Sequence, residues 1–334
     1  MKEARQMNNT RRGALRLTAG LGAAALMAPH VARGQANWPN GPIRIVIPFP
    51  PGGSVDTIAR LVQAHLQETL GVPILVESRA GASGSVGTGT VARAAPDGQT
   101  FILVFDTHAV NPALIPNLNF DAQRDFTPIM LVGSAPMLIT TPNARPWTSL
   151  GEFIAAAKAQ PDTLTYGTVG VGSLAHLTVS LMQQAGDFKL VHVPYRGGGP
   201  LTAAAVAGEV DIALSTNAGF GGQVGQTIRP LAQTSARRSP HFQDIPTVQE
   251  GGVPGIDALS WWGLLGPAGL PEPIVTRFNA AWASALQQPA VRARLTSPLG
   301  VEIVASSPAD FAQFLERQIT TWGRVVREQG ITQG

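Results

Sequence analysis

Four glycine-rich turns carry most of the chemistry this sequence can offer. The first is Pro48-Phe49-Pro50-Pro51-Gly52-Gly53-Ser54-Val55-Asp56. Its prolines stiffen a turn, and Gly52 and Gly53 let the backbone approach a ligand without a Cβ in the way. Ser54 or Asp56 can cap the helix that follows, whose first-turn N–H groups favour an anion. The second turn, Arg79 to Gly87, has the look of a phosphate loop. It lacks the Lys-Ser/Thr of a nucleotide P-loop, and Gly84-Ser85-Val86-Gly87 is not the dinucleotide fingerprint. The third, Gly170-Val171-Gly172-Ser173-Leu174-Ala175-His176, puts a hydroxyl at a helix start with an imidazole one turn on. A nucleophile elbow needs G-x-S-x-G, and no such pentapeptide occurs. A cap plus a packed imidazole is therefore the preferred reading, and a hydrolase or lyase using Ser173 and His176 is the alternative. The fourth, Pro194-Tyr195-Arg196-Gly197-Gly198-Gly199-Pro200, offers an aromatic plate and a guanidinium. Two roles are open for Arg196: a bidentate carboxylate clamp, or a solvated cation on a flexible turn.

Other chemistries are poorly served. The chain has no cysteine, which removes disulfides, thiolate metal sites and a thiol nucleophile. Its six histidines, at 30, 65, 108, 176, 192 and 241, form no H-E-x-x-H or other tight pair. No metal and no cofactor are expected. Trp261-Trp262 reads as core or hinge packing.

The turns need strands and helices to hold them. Ile43 to Pro48 reads as a strand, and Ser54 to Leu70 as a helix with Ile58, Leu61, Val62, Leu66 and Leu70 on one face. Gly71 and Pro73 end that helix. Strands follow at Ile74–Glu77, Thr100–Phe105 and Pro136–Thr141, with a small-residue helix from Ser85 to Ala95. A second series opens on the capping box Ser149-Leu150-Gly151-Glu152, leading a helix to Gln160. Strands at Leu164–Thr168, Leu190–Val193, Val210–Leu214 and Ile228–Thr234 alternate with helices at Ser173–Ala185 and Pro200–Ala207. The tail holds an apolar run at Leu259–Leu265, a helix after Pro271, a strand near Val301 and a long helix from Ser307 to Glu328. Such alternation argues for an α/β fold with parallel strands and right-handed crossovers. Ligands in such sheets bind beyond the carboxyl ends of the strands, where these turns lie. Two series with a C-terminal return predict two lobes: residues 37–138 plus 255–334, and residues 139–254. The expected crossings lie near Pro136–Thr141 and Leu259–Gly266.

The 334 residues hold 24 Lys and Arg against 21 Asp and Glu. The excess sits at the start, where Lys2, Arg5, Arg11, Arg12, Arg16 and Arg33 face Glu3 alone. The remaining 298 residues hold 18 basic and 20 acidic groups and no basic cluster, so nucleic acid is not an expected partner. Arg11-Arg12, an apolar stretch from Leu17 to Ala28 and Gly34-Gln35-Ala36 have the layout of an export signal. It looks like a twin-arginine signal, although Ala14 stands where Phe or Leu is usual, so the twin-arginine and the general export route both stay open. The apolar run of 12 residues, Leu17 to Ala28, falls short of the roughly 20 a bilayer needs. Residues 1–36 are thus expected to be removed, with cleavage near Ala36, leaving a periplasmic protein.

Taken together and in order, these segments resemble the substrate receptors of tripartite tricarboxylate transporters, the Bug family. The resemblance runs from Trp38 to about Gly330. It is carried by WPNGPIRIVIPFPPGGSVD (38–56), ESRAGASGSVGTGTVARAAPDGQT (77–100), YGTVGVGSLAHL (166–177), VPYRGGGP (193–200), GEVDIAL (208–214) and RPLAQTSARRSPHFQDIPTVQEGG (229–252). Where family members often have Asn-Arg-Pro-Gly-Ala-Gly, this chain has Ser78 to Ser83. The resemblance implies a type II periplasmic-binding-protein fold, two α/β lobes joined by two crossover strands with a ligand cleft between them. It implies a monomeric, non-enzymatic receptor for a small organic anion, a di- or tricarboxylate or related acid, delivered to membrane permease subunits. It further implies that one carboxylate is held at Phe49, Gly52, Gly53, Ser54 and Asp56 and at Gly170, Gly172, Ser173 and His176. Ser83, Thr107, His108 and Tyr195 are implied as further lining residues, with Asp56 as a cap or water-holding group, or as a partner for a ligand ammonium.

Overall fold

Ile43, Ile45 and Ile47 are fully buried while Arg44 is exposed, so strand β1 (Ile43–Ile47) enters the core almost at once. The computed structural model describes residues 38–332, and the unit from Pro39 onward is the body considered below. The export signal expected at 1–36 lies outside the described residues.

Helix α1 (Ser54–Leu70) follows β1 and buries Ile58, Val62, Leu66 and Leu70, spaced by four. Gly71 ends it in the left-handed region at φ 71°, its N–H donating to Gln67 O at 3.0 Å. Next come β2 (Ile74–Ser78), a short 3-10 turn (Ala82–Gly84), α2 (Ser85–Ala92), β3 (Thr100–Phe105) and α3 (Thr107–Leu114). The long β4 (Phe126–Pro142) leads to α4 (Leu150–Ala159), β5 (Thr165–Thr168), α5 (Leu174–Gly186), β6 (Val191–Pro194), α6 (Gly198–Ala207), β7 (Ile212–Thr216) and β8 (Ile228–Gln233). The chain returns through β9 (Leu259–Pro267), α7 (Glu272–Gln287), α8 (Pro289–Thr296), β10 (Glu302–Ile303) and α9 (Pro308–Glu328).

All ten strands join one mixed sheet in the order β2-β1-β3-β9-β4-β7-β5-β6, with β8 and β10 also on β4. The pairs β1–β2 and β1–β3 are parallel, as are β5–β6 and β5–β7. Between these parallel groups run β9 and β4, antiparallel to each other from Phe126–Pro267 to Pro136–Leu259. Each parallel group with its helices is one lobe, and the β4–β9 pair is the crossing. Trp261 and Trp262 are fully buried on β9, as their apolar setting predicts.

The structure departs from the sequence-based expectation at several points. β4 begins ten residues before Pro136. Register shifts at Pro128/Met130 and Leu131/Gly133 break its alternation, which hides the strand from a period-two reading. α3 was not expected, because it contains Pro112 and buries residues nearly all round, leaving no amphipathic stripe. α2 stops at Ala92, short of Ala95, ahead of Pro96. β7 runs two residues beyond Leu214, to Thr216. At α4 only half the capping box forms. Ser149 Oγ accepts Glu152 N–H, while the Glu152 carboxylate turns to the backbone and hydroxyl of Thr148.

One core cluster joins Val46, Ile102, Val104 and Trp261 to Phe311 and Leu315 of α9. A second joins Ile139, Phe153, Leu177 and Ile212 to Trp322, Val325 and Val326 of the same helix. α9 is therefore shared by both halves.

Candidate functional site

The four glycine-rich turns all follow carboxyl ends of parallel strands, β1, β2, β5 and β6. All four line one cavity of about 680 Å³. The lining includes Phe49 from the first turn, Ser83 from the second, Gly170 from the third, and Tyr195 and Arg196 from the fourth. A tighter recess adjoins it, lined by Gly53, Ser54 and Asp56 on one side and by Gly197, Gly198 and Ser215 on the other.

Two helices start at that recess without a side-chain cap. Gly53 stands at the head of α1 in extended conformation, φ −86° and ψ 177°, and makes no side-chain cap. Gly197 stands at the head of α6 at φ 117°, again with no side-chain cap. Each helix keeps free N–H groups in its first turn and the positive end of its dipole. The two loops nearly touch. A Cβ on Gly53 would lie 3.6 Å from Gly198 N, and one on Gly198 would lie 3.2 Å from Gly53 Cα. The approach is tight at Gly198 and an ordinary van der Waals contact at Gly53. A second contact between the lobes is the 3.0 Å hydrogen bond from Ser83 Oγ to Val171 O.

Asp56, at the recess, is already engaged. It accepts from Gly52 N at 3.0 Å and from Arg60 Nε at 2.7 Å. It thus fastens the first turn to α1, with its charge balanced. Ser54 Oγ accepts from the Trp262 indole N–H at 3.1 Å, tying the recess to the crossing strand β9.

The third turn behaves differently from the expectation. Ser173 is fully buried and its Oγ accepts His176 N–H, so the N-terminus of α5 is capped. Gly172 N–H donates to His176 Nδ1 at 3.1 Å. Gly172 packs on Leu114, with which any Cβ there would collide. These groups are spent on one another. Gly172, Ser173 and His176 do not line the cleft, whereas Gly170 and Val171 do. The helix facing α1 across the recess is α6, not α5. The Ser–His alternative finds no support in this geometry, in which Ser173 Oγ bonds the histidine backbone rather than its ring. His176 stacks on His192 at 4.0 Å between centroids, and His192 on Tyr166 at 4.7 Å. Burial holds His176 down to about 4 and His192, with His176 beside it, down to about 3.

His108 lies away from the cleft. It is 2% exposed, its Nε2–H bonds Ala122 O at 2.9 Å, and it packs against Phe120 and Phe126. Thr107 is buried in the first turn of α3 and does not line the cavity. Gly52, at φ 86°, shapes the first turn without lining either space. The Tyr195 ring forms cavity wall, while its hydroxyl turns toward Glu209 and, with burial, titrates above its ordinary range. Ser215 and Gly219 were missed, although the rule that ligands bind beyond strand ends applies to β7. Placing that strand's end at Leu214 instead of Thr216 hid the turn that follows.

The comparisons with known proteins agree with this architecture. The sequence model described as "Tripartite tricarboxylate transporter family receptor" matches residues 58–331. The chain belongs to that family. Protein BugT of Bordetella pertussis is 33% identical over 296 residues, covering 88% of this chain and 90% of BugT. Among solved structures, the Rhodopseudomonas palustris protein MatC with bound malate is 34% identical, with a TM-score of 0.81 over 86% of this chain and all of MatC. The R. palustris protein Rpa4515 with adipate is 32% identical at TM-score 0.84, and the periplasmic binding protein BugD 28% identical at 0.83. Each covers 89% of this chain and all of its own. The two-lobed periplasmic-binding-protein fold expected from sequence is therefore the fold of the family. Among the described residues, no helix is long and apolar enough to cross a membrane, and no cluster of three or more His, Asp or Glu could hold a metal ion.

Proposed function

We propose that this chain is an exported receptor that captures one small organic carboxylate between its lobes and delivers it unchanged to membrane permease subunits. The observation that carries the reading is the shared recess at the uncapped starts of α1 and α6. Orphan amides and two helix dipoles favour an anion there without a lysine. A neutral cradle suits reversible capture, because it avoids the desolvation cost of a buried ion pair. Closing the lobes around the acid strips water and strengthens each hydrogen bond. The malate and adipate complexes of related proteins support a carboxylate as the ligand class. Because the family members compared are binding proteins, capture without turnover is the expected activity, with the receptor acting as a monomer after loss of residues 1–36.

The test is thermal unfolding of the mature chain with a panel of organic acids and their amides. An acid should raise the melting temperature, by about 2.7 kcal/mol of added stability at a hundredfold excess over its Kd. The corresponding amide should not. Equal stabilisation by acid and amide would remove the anion cradle.

A further inference from the structure

The cavity is far larger than one carboxylate needs, and its remaining walls say what else the ligand carries. The lining is mainly apolar, with Phe49, Pro50, Ala82, Val169, Val171 and the Tyr195 ring among its walls. The polar groups along it are occupied. Ser83 Oγ donates to Val171 O, and the Tyr195 hydroxyl turns to Glu209. A ligand spacer running along these walls therefore meets mainly hydrocarbon.

Arg196 is the exception. It lines the cavity, its side chain is exposed, and it makes no hydrogen bond or ion pair among the described residues. The arginines at 60, 79, 124, 145 and 238 each hold a carboxylate. The backbone around Arg196 is fixed on both sides, by Tyr195 N–H to Thr168 O at 2.9 Å and by Gly197 at the head of α6. A guanidinium on so well-defined a base presents a planar fork suited to a second acid group.

We infer that Arg196 grips the far carboxylate of a dicarboxylate whose spacer is apolar, so that this receptor selects two-headed aliphatic acids over hydroxy acids and monoacids. The inference rests on the carboxylate-receptor reading, the first acid group occupying the recess between α1 and α6. Arg196 then sets specificity, while the recess supplies the binding common to all acids.

Calorimetric titration of the mature chain and of Arg196→Gln tests this, with adipate and suberate, their monoacids hexanoate and octanoate, and malate. A diacid should bind the parent at least tenfold more tightly than its monoacid and than malate. In Arg196→Gln the diacid should weaken about tenfold while the monoacid is unchanged, and Arg196→Lys should recover part of the loss. An unchanged preference for the diacid in Arg196→Gln, or equal losses for diacid and monoacid, would overturn the role of Arg196. Malate binding more tightly than either diacid would overturn the apolar spacer. Failure of every acid, malate and monoacids included, to bind the parent would instead overturn the carboxylate reading beneath it.

Discussion

Asp106, between β3 and α3, is the residue with the clearest electrostatic conflict. It is 1% exposed, and burial pushes its carboxyl up to about 7 against the help of the Ser260 hydroxyl and the Leu174 and Thr107 backbones. Neither oxygen reaches good hydrogen-bond geometry with a described protein atom. The folded chain keeps this proton where the unfolded chain, near 3.8, has lost it. Asp106 therefore withdraws stability as pH rises from about 4 through about 7. The histidines work in the other direction. His108 and His176, held down to about 4, stay neutral while their unfolded counterparts protonate near 6.5, so stability falls as pH drops through that window. Asp106→Asn should gain stability over the parent progressively between pH 5 and 8, read as urea midpoints. A difference that stays constant over that range would contradict the raised carboxyl. At this scale the sequence shows residue types but not how their bonding capacity is spent. Gly53 and Gly170 line the cleft, whereas Ser173 and His176 satisfy each other and His108 disappears into an aromatic cluster. Composition and spacing do not distinguish a free amide from a capped one.

Among the elements, the meeting of the α1 and α6 heads is the feature most open to mutation. Gly53 has a backbone conformation that any residue adopts, and a Cβ there makes only ordinary contact with Gly198. Gly53→Val should therefore fold with a melting temperature close to the parent. Its extra methyl groups would fill the recess, and acid affinity should fall at least tenfold by titration. Unaltered affinity would take the recess out of the site. Elements with regular periodicity were legible in advance: β1, α1 and α9 fall within a residue or two of their expected limits. Those with an interrupted pattern were not. Bulges concealed the first half of β4, and full burial with an internal proline concealed α3. The loop chemistry signalled anion binding, but the identity of the opposing helix depends on lobe packing, which no local window contains.

At the scale of the molecule, the lobes are joined by more than a hinge. β4 and β9 pass through the middle of the common sheet, and α9 places Phe311 and Leu315 in one core and Trp322, Val325 and Val326 in the other. Trp322→Ala should cost about 3–5 kcal/mol. Hydrogen exchange should rise in β5 and α5 of the second lobe as well as in α9. Faster exchange confined to α9 would mean that the tryptophan does not support that core. The shared helix also constrains the order in which the protein can be assembled. Most strands of the second lobe emerge from the ribosome early, yet its interior is incomplete until residues 322–326 have been translated. A nascent chain halted before that point would hold an unfinished apolar surface, so neither half can mature separately during synthesis.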